Sequence, residues 1–383
     1  MSSVAPPSSH LVHGMGLALE TPRWPAITTA EADAILRRFP AAGRLVGLRW
    51  HSPRPFSAAT LVQTSRGEFL LKRHHHRLRD AAGLAEEHAF IAHLGAAGLS
   101  VPDILTADSG ATAVIAGDWS YELHRKAPGA DLYRDRPSWT PFLSHDHARA
   151  AGAALARTHR AARDFAAPAR PPRPLVASFT ILPAADPQAA ADAYVAARPA
   201  LAAFLAPRAW QARIAQLIDA LGEGLADRLA NQPSLWTHND WHPSNLLWSR
   251  DGAVRTLFDF GLATRTCAVH DLATAIERTA IAWLDLGNGR DDTIADADAA
   301  AALIAGYRTE LPLSNDDVET VARLLPLVHV EFALSEIDYF TAILADPDQA
   351  ALAWDGYLIG HADWFCSTPG HAFLAQLTIA ASA

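Results

Sequence analysis

Polar residues placed around a predicted β-hairpin constrain this chain more than any other feature. The segment from Ser234 to Asp271 reads SLWTHNDWHPSNLLWSRDGAVRTLFDFGLATRTCAVHD. Two short apolar runs flank the turn pair Asp251-Gly252, which is the pattern of a two-stranded hairpin. Asn245 precedes the first run and Asp259 follows the second, so we expect the hairpin to bring them side by side. Asp240 lies on the loop that enters the first strand.

These three polar residues are of the types that phosphoryl transfer needs. The amide oxygen of Asn245 and the carboxylate of Asp259 are hard ligands, which Mg²⁺ binds together with phosphate oxygens and water. The carboxylate of Asp240 can position an attacking hydroxyl and accept its proton. The alternative is a surface hairpin whose Asp and Asn residues only form turns, as Asp251 does.

The segment resembles the catalytic core of the aminoglycoside phosphotransferase and choline kinase superfamily, which shares the protein-kinase fold. That pattern is His-Gly-Asp, four residues, Asn, and a hairpin that ends in Asp. It reads here as a loop at 238–245 and Asp259-Phe260-Gly261. Asn239 replaces the central Gly, as in many choline and ethanolamine kinases, and Asn tolerates a positive φ best after Gly. The three matching polar residues argue against a plain surface hairpin.

The resemblance covers roughly residues 55–340 and implies an α+β, bilobal, protein-kinase-like fold. We expect a small antiparallel-sheet N-lobe at 26–124 and a larger, mostly helical C-lobe at 125–383. Residues 1–25 are rich in Pro and Ser and lack periodicity, which predicts a loose N-terminal tail.

Strand-like runs at 45–50, 58–63 and 68–72 follow a helix predicted over 30–39, which Thr28 and Glu31 open as a capping box. In the related kinases a strand lysine holds the nucleotide phosphates, and Lys72 has that context; a solvated strand-end lysine is the alternative.

The loop expected to cover the phosphates has no glycine, but its small Ser57 lets backbone N–H groups approach. The predicted helix at 83–94 offers Glu87 as the acid that pairs with Lys72, with Glu86 as the second choice. The histidines at 74–76 predict a solvated loop, because flanking arginines repel a metal ion. Backbone groups near Arg125 and Ala127 match the hinge that binds adenine in this superfamily.

The remaining chain is rich in alanine and reads as helical. Asp271, in an Asp-Leu-Ala motif, is expected to cap a helix and could also steady the catalytic loop. His159 is expected to be a packed helix residue. We predict helices at 147–163, 199–205, 210–230, 296–308, 316–325, 330–344 and 349–365.

Two acids on one predicted helix face bear on the acceptor. Glu331 and Asp338 are two turns apart and share a face, whereas Glu336 lies off it. Such a face would attract a cationic acceptor if it lined the cleft. The competing explanation is that it meets solvent or a core arginine.

The sequence therefore predicts an ATP- and Mg²⁺-dependent kinase that phosphorylates a hydroxyl of a small molecule, an aminoglycoside, amino alcohol, choline- or homoserine-like compound or sugar. One alternative is a Ser/Thr protein kinase; the short link from Gly261 to Asp271, without Ala-Pro-Glu, argues against it. The other is a non-catalytic nucleotide-binding module, disfavoured because Lys72, Asp240, Asn245 and Asp259 are all present.

Composition argues against several classes of protein. The net charge of −9 argues against nucleic-acid binding, and two cysteines provide no disulfide framework. Without a signal peptide or an apolar run of about 18 residues, we expect a cytoplasmic protein with no membrane segment.

Overall fold

The computed structural model describes residues 11–13 and 19–380 of the 383-residue chain. Within it the described residues divide into two compact units. The smaller contains those up to Ile91 together with Val101–Pro128, and the larger contains Ala92–Ser100 together with the chain from Gly129 onward. The sequence-based boundary at residue 125 lies close to Pro128, whereas the grouping of Ala92–Ser100 with the larger unit was not expected.

The N-terminal segment was expected to be loose, and part of it has defined structure. Strands β1 (Val12–His13) and β2 (Leu19–Glu20) form a small antiparallel pair. The Trp24 ring stacks on that of His75, with ring centroids 5.4 Å apart, so the end of this segment packs on the sheet. The expectation for residues 1–10 and 14–18 lies outside the described residues.

An antiparallel sheet dominates the smaller unit. Its strands are β3 (Leu45–His51), β4 (Ala58–Thr64), β5 (Gly67–His75), β6 (Asp103–Ile104), β7 (Val114–Ala116) and β8 (Trp119–Arg125). The order is β3-β4-β5-β8-β6, and β7 also pairs with β8. Helix α1 (Thr29–Leu36) begins with the predicted capping box, and α2 (Ala81–Ala96) follows β5. A short 3₁₀ segment spans Pro40–Ala42.

One face of this sheet forms an apolar core with α1. Val62, Phe69, Leu71 and Leu123 are fully buried, and Ile35 of α1 packs in the same cluster. Burial of such a side chain contributes about 1.5–3 kcal/mol. The core therefore holds β4, β5 and β8 in register, which places Lys72 of β5 directly opposite Glu122 of β8.

Helices make up most of the larger unit. They are α3 (His145–Ala162), α4 (Pro187–Ala196), α5 (Pro199–Leu205), α6 (Trp210–Leu221), α7 (Leu225–Ala230), α8 (Ala268–Thr279), α9 (Ala297–Arg308), α10 (Asn315–Leu324), α11 (Val330–Asp338), α12 (Pro347–Leu352), α13 (Gly360–Phe365) and α14 (Thr368–Ala380). Additional 3₁₀ segments span Ala206–Arg208, Pro243–Asn245 and Trp283–Asp285, and π-helical segments span Tyr339–Leu344 and Ala353–Ile359.

Helices α3 and α9 approach each other closely at two glycines. A Cβ atom on Gly152 would lie 1.9 Å from the carbonyl oxygen of Leu303, and one on Gly306 would lie 1.9 Å from that of Arg149. No side chain fits at either position. The tight crossing fixes the buried face of α3, which carries His159 toward the catalytic loop.

The segment 234–271, which contains the predicted catalytic residues, forms two short antiparallel strand pairs. Strand β9 (Ser234–Thr237) pairs with β12 (Thr264–Cys267), and β10 (Leu246–Trp248) pairs with β11 (Val254–Leu257). The predicted hairpin is therefore confirmed, as is the α+β class with one antiparallel sheet and a mostly helical remainder.

Several predicted helices differ in extent. The helix expected over 210–230 is two helices, because Gly222 ends α6 and Gly224 has a φ of +68°. The helices expected over 330–344 and 349–365 each contain a π-helical segment, which sequence periodicity does not reveal. Among the described residues no single helix is long and apolar enough to cross a bilayer; the bent pair Pro187–Ala196 and Pro199–Arg208 meets that requirement by length and composition only.

Candidate active site

The loop between β9 and β10 holds Asp240 in a fixed position. Asn245 donates its side-chain N–H to both the backbone oxygen and Oδ2 of Asp240, at 2.9 Å each. His242 Nε2 lies 3.4 Å from Asp240 Oδ1. Because the amide nitrogen of Asn245 is engaged with Asp240, its Oδ1 atom is the one suited to a metal ion.

Backbone strain at Asn239 matches the prediction for the position that replaces Gly. Its φ is +60°, in the left-handed region. Two bonds hold this turn: Asp271 accepts the backbone N–H of His238 at 2.9 Å and that of Asn239 at 2.8 Å. Asp271 also accepts from His159 Nε2 at 3.0 Å.

This arrangement corrects the expectation for Asp271. The N-cap residue of α8 is Cys267, so Asp271 does not cap the helix. It steadies the catalytic loop, because its two oxygens bind consecutive loop N–H groups. His159 is a packed helix residue, as expected, and it completes the hydrogen bonding of Asp271 from α3. Burial works to raise the pKa of Asp271, but His159 and the bond from His238 outweigh it and lower that pKa.

The hairpin places Asn245 next to the residues that end its second strand. The Phe258 N–H donates to Asn245 O at 3.1 Å, and His238 Nε2 lies 3.1 Å from Phe258 O. Asp259 follows with a φ of +61°, and Phe260 packs on the His238 ring at 4.8 Å. Asp259 thus leaves the hairpin end next to Asn245, which is the convergence predicted from sequence.

Arg278 is the residue of this site that the sequence reasoning missed. It lies on α8, is 2% exposed, and its Nη1 donates to Asn239 O at 3.0 Å and to Asp240 Oδ1. The guanidinium also lies between the rings of Trp139 and Phe332, 4.6 and 4.9 Å from their centroids. Arg278 follows Asp271 by seven residues, two helical turns, so both lie on the same face of α8; this spacing was the signal available in the sequence.

The charge state of Asp240 follows from these contacts. Burial works to raise the pKa of its carboxyl, but the positive charges of His242 and Arg278 outweigh burial and hold that pKa well below the usual range. Asp240 is therefore ionised at neutral pH. A carboxylate of such low basicity is suited to positioning a hydroxyl and accepting its proton late in the reaction.

A pocket in the larger unit adjoins Asp240. Its lining includes Asn239, His270, Glu277, Arg278, His329 and Tyr357. Among the described residues, the Nδ1 atoms of His270 and His329 and the Nε atom of Arg278 are buried without a hydrogen-bond partner. Burial lowers the pKa of His270 and of His329 to about 4, so both are neutral at pH 7. Unsatisfied buried polar atoms are costly, so we expect a water molecule or a polar group of a ligand to bind them.

The prediction that Glu331 and Asp338 attract a cationic acceptor is wrong. Glu331 accepts the backbone N–H groups of Thr180 and Ile181, and Asp338 Oδ2 lies 3.9 Å from Arg198 Nε. Asp338 thus meets a core arginine, the competing explanation.

Two other buried acids, Glu277 and Glu336, interact electrostatically with Arg278. Glu277 lines the pocket and accepts from His361 Nδ1 at 2.9 Å. Burial raises the pKa of the Glu336 carboxyl to about 8. The positive charge of Arg278 opposes this rise, and the negative charge of Asp240 adds to it. Glu336 is therefore protonated at neutral pH.

In the smaller unit, Lys72 pairs with an acid from the sheet. Lys72 Nζ lies 3.6 Å from Glu122 Oε1, and both side chains are at least nine-tenths buried. No ion pair joins Lys72 to Glu87 among the residues that the structure describes, so the predicted Lys72–Glu87 pair is wrong. The reason is the sheet register: residues opposite each other on antiparallel strands point to the same face. An acid within the segment that forms β8 was the missed signal.

The histidine tract also differs from its prediction. His74 is buried and its Nε2 lies 3.0 Å from Glu122 Oε1, so it is part of β5 and not of a solvated loop. Burial lowers the pKa of His74. His75 stacks on Trp24, and His76 Nδ1 lies 3.0 Å from Asp118 O.

The other candidate nucleotide-binding residues lie at the ends of strands. Ser57 is half-buried in the loop before β4. Arg125 ends β8, where its Nε bonds Asp103 at 3.1 Å in an exposed pair, and the half-buried Ala127 follows. The adenine and phosphate roles of these residues stay predictions.

Comparisons with known proteins place the chain in a family. Residues 56–313 match the model of the phosphotransferase enzyme family. A homoserine kinase from Chelativorans sp. (strain BNC1) is 26% identical over 318 residues, which cover 82% of this chain and 87% of that protein.

Two solved structures share the fold. The microcompartment-associated aminopropanol kinase superposes with a TM-score of 0.61 at 16% identity, covering 90% of this chain and 99% of its own. Amicoumacin kinase hAmiN, solved with AMP-PNP, Ca²⁺ and Ami, gives a TM-score of 0.52 at 15% identity and covers 91% of each chain. The chain belongs to the phosphotransferase enzyme family, which confirms the predicted protein-kinase-like fold and the predicted kinase activity on a hydroxyl group.

Proposed function

We propose that this protein transfers the γ-phosphoryl group of ATP, with Mg²⁺, to the hydroxyl of a small amino acid or amino alcohol. The observation that carries the proposal is the setting of Asp240. It is ionised, held by Asn245 and Arg278, and adjoins a pocket with unsatisfied polar atoms. A small hydroxyl compound in that pocket would meet the carboxylate that positions it.

The residue roles follow from the chemistry of each group. Asp240 orients the acceptor hydroxyl and takes its proton, while the oxygens of Asn245 and Asp259 hold Mg²⁺. Lys72 contacts the nucleotide phosphates and is braced by Glu122. Because phosphoryl transfer passes through a loose transition state, such positioning supplies most of the catalysis.

The nucleotide and the metal ion have support of two kinds. Amicoumacin kinase was solved with AMP-PNP and Ca²⁺, an adenine nucleotide and a divalent cation. In this chain the candidate metal ligands are an amide oxygen and a carboxylate, which suit a hard cation that keeps several waters. The backbone near Ser57 is proposed to cover the phosphates, and that near Arg125 and Ala127 to bind adenine.

Charge in the pocket supports an amino-bearing acceptor. Burial raises the pKa of Glu277, and an ammonium group bound beside it would favour its carboxylate form. Arg278 offers an Nε–H to a carboxylate or a hydroxyl. Homoserine kinase and aminopropanol kinase, both similar to this chain, carry the names of small amino-hydroxy compounds. The cationic acceptor is therefore proposed again, with Glu277 in place of Glu331 and Asp338.

A panel of acceptors tests this proposal. Purified protein is incubated with ATP and Mg²⁺ and with homoserine, aminopropanol, choline, a neutral polyol or an aminoglycoside. ADP release is measured, and the product is identified by mass spectrometry. We expect the first two compounds to be phosphorylated with kcat/KM at least about tenfold above the polyol, the discrimination that about 1.4 kcal/mol provides.

Two variants test whether the charge of Glu277 determines the KM of the acceptor. Glu277→Gln should raise the KM of the amino acceptor with little change in that of ATP. Glu310→Gln, in a surface pair with Arg157 and Arg160, should leave both unchanged. Equal use of the neutral polyol, or an unchanged acceptor KM in Glu277→Gln, would contradict the proposal.

A further inference from the structure

Four buried side chains of the smaller unit converge on one point. Three histidines, His74, His88 and His124, direct their Nε2 atoms at the carboxylate of Glu122, and we name this set the Glu122 cluster. His88 and His124 lie 2.7 and 2.9 Å from Oε2, and His74 lies 3.0 Å from Oε1. Glu122 is fully buried, and each histidine is at least nine-tenths buried.

Rigid elements supply all four residues. His74 comes from β5, Glu122 and His124 come from β8, and His88 comes from α2. Glu122 and His124 are two apart on one strand, so their side chains share a face of the sheet. Sites built on strands and helices hold their ligands more precisely than sites on loops.

The donor set matches one class of ligand. The metal-binding atoms of His88, Glu122 and His124 all lie within 4.8 Å of one another. Ligands about 2.0–2.2 Å from a tetrahedral Zn²⁺ lie roughly 3.3 Å from each other, so the observed N–O spacings need only a small widening. Imidazole nitrogen with a single carboxylate favours Zn²⁺ and related transition metals over Mg²⁺, which prefers oxygen ligands.

The surroundings of His88 fit a ligand as well. Its Nδ1 lies 2.7 Å from the hydroxyl of Thr112. When Nε2 binds a metal, Nδ1 carries the proton and donates it to that hydroxyl oxygen. Metal-binding histidines are commonly oriented by such a partner on the second ring nitrogen.

We propose that the Glu122 cluster is a binding site for one transition-metal ion of the Zn²⁺ class, with His88, Glu122 and His124 as ligands and His74 able to complete the set. Its ligands differ from Asn245 and Asp259, the proposed Mg²⁺ ligands, and all of them belong to the smaller unit. It also shares Glu122 with Lys72, so a bound ion competes with that lysine for the carboxylate.

Cobalt provides a direct probe that needs no nucleotide or acceptor. The full-length protein, without an affinity tag, is stripped with a chelator and titrated with Co²⁺ while visible absorption is recorded. We expect a tetrahedral Co²⁺ spectrum that saturates at one equivalent and is displaced by Zn²⁺. Zn²⁺ in excess of Kd should also raise the Tm by a few degrees, as a ligand bound only to the folded state does.

Variants assign the signal to the cluster. His88→Gln and His124→Gln should abolish it or weaken binding at least about tenfold, and Thr112→Val should weaken it by about 10–100-fold without removing a ligand. His371→Gln, at an exposed histidine of α14, is the matched control and should bind as wild type does.

The same titration can overturn the proposal. It is refuted if wild type gives no saturable Co²⁺ spectrum, or if the signal is lost in His371→Gln. It is also refuted if His88→Gln or Thr112→Val binds as tightly as wild type. Thr112→Val keeps the proposal testable should the histidine variants fail to fold.

Discussion

Replacing Arg278 by Met should destabilise the larger unit strongly, because it leaves a buried carboxylate without its cation. The Arg278 side chain is 2% exposed and that of Asp240 is 15% exposed, so their pair is almost completely desolvated. Removal of one partner from a buried ion pair costs about 3–5 kcal/mol. Met fills much of the same volume and packs well on the rings of Trp139 and Phe332, so the loss reports mainly on charge.

A double-mutant cycle isolates the pair. Asp240→Asn keeps the shape of the side chain and removes its charge. Combined with Arg278→Met, it should leave the protein more stable than the sum of the two single losses, by about 1–3 kcal/mol. Denaturant unfolding, followed by tryptophan fluorescence, gives the free energy of unfolding for each of the four proteins.

A surface pair provides the control. Arg157 Nη1 lies 2.9 Å from Glu310, with side chains 34% and 25% exposed, so Arg157→Met should cost less than about 1 kcal/mol. The reasoning would be refuted if Arg278→Met cost no more than this control, or if the effects of Asp240→Asn and Arg278→Met were additive.

Three further predictions concern single acids. The pKa of Glu336 is raised from 4.5 to about 8 by burial. Below pH 4.5 both the folded and the unfolded protein hold this proton, and the stabilisation is fully present. Between pH 4.5 and 8 the unfolded chain has released the proton and the folded protein still holds it. The free energy of unfolding therefore falls as the pH rises through this range, by at most about 1.4 kcal/mol per pH unit. Glu336→Gln should therefore lose less stability than wild type between pH 5 and 8, and parallel curves would contradict this. Glu122→Gln should raise the KM for ATP more than Glu87→Gln does, since Glu122 pairs with Lys72. A larger effect of Glu87→Gln would instead support Glu87 as the acid that orients Lys72. Asp259→Ala should remove the Mg²⁺-dependent gain in ATP affinity, measured by titration with and without Mg²⁺, and an equal gain in both proteins would exclude Asp259 from the metal site.

The local part of the site was predictable from the sequence. Asn245 and Asp259 are joined by one hairpin, whose turn pair and apolar runs set its register, so their proximity depends on short-range rules. The positive φ of Asn239 follows from the same local reasoning, because few residue types tolerate it. The fold class followed from the resemblance of these motifs to those of a known family, and not from the chemistry of the residues alone.

The missed residues depend on long-range packing. Arg278 contacts Asp240 across 38 residues of chain, and Glu122 reaches Lys72 because two strands distant in sequence adopt one register. Periodicity gives the face of a helix or strand but not the element that faces it. The pair of Lys72 with Glu87 failed for this reason: the sheet supplied an acid directly opposite the lysine, and no sequence pattern marks which strands become neighbours.

The measurement that most directly tests the central claim is phosphoryl transfer by Asp240→Asn. The carboxylate acts on the acceptor hydroxyl and not on the nucleotide, so turnover with the preferred acceptor should fall by about 10²–10⁴-fold. ATP affinity, measured by titration calorimetry, should stay as in wild type. A variant that kept more than about a tenth of wild-type turnover, far outside that range, would contradict the role assigned to Asp240.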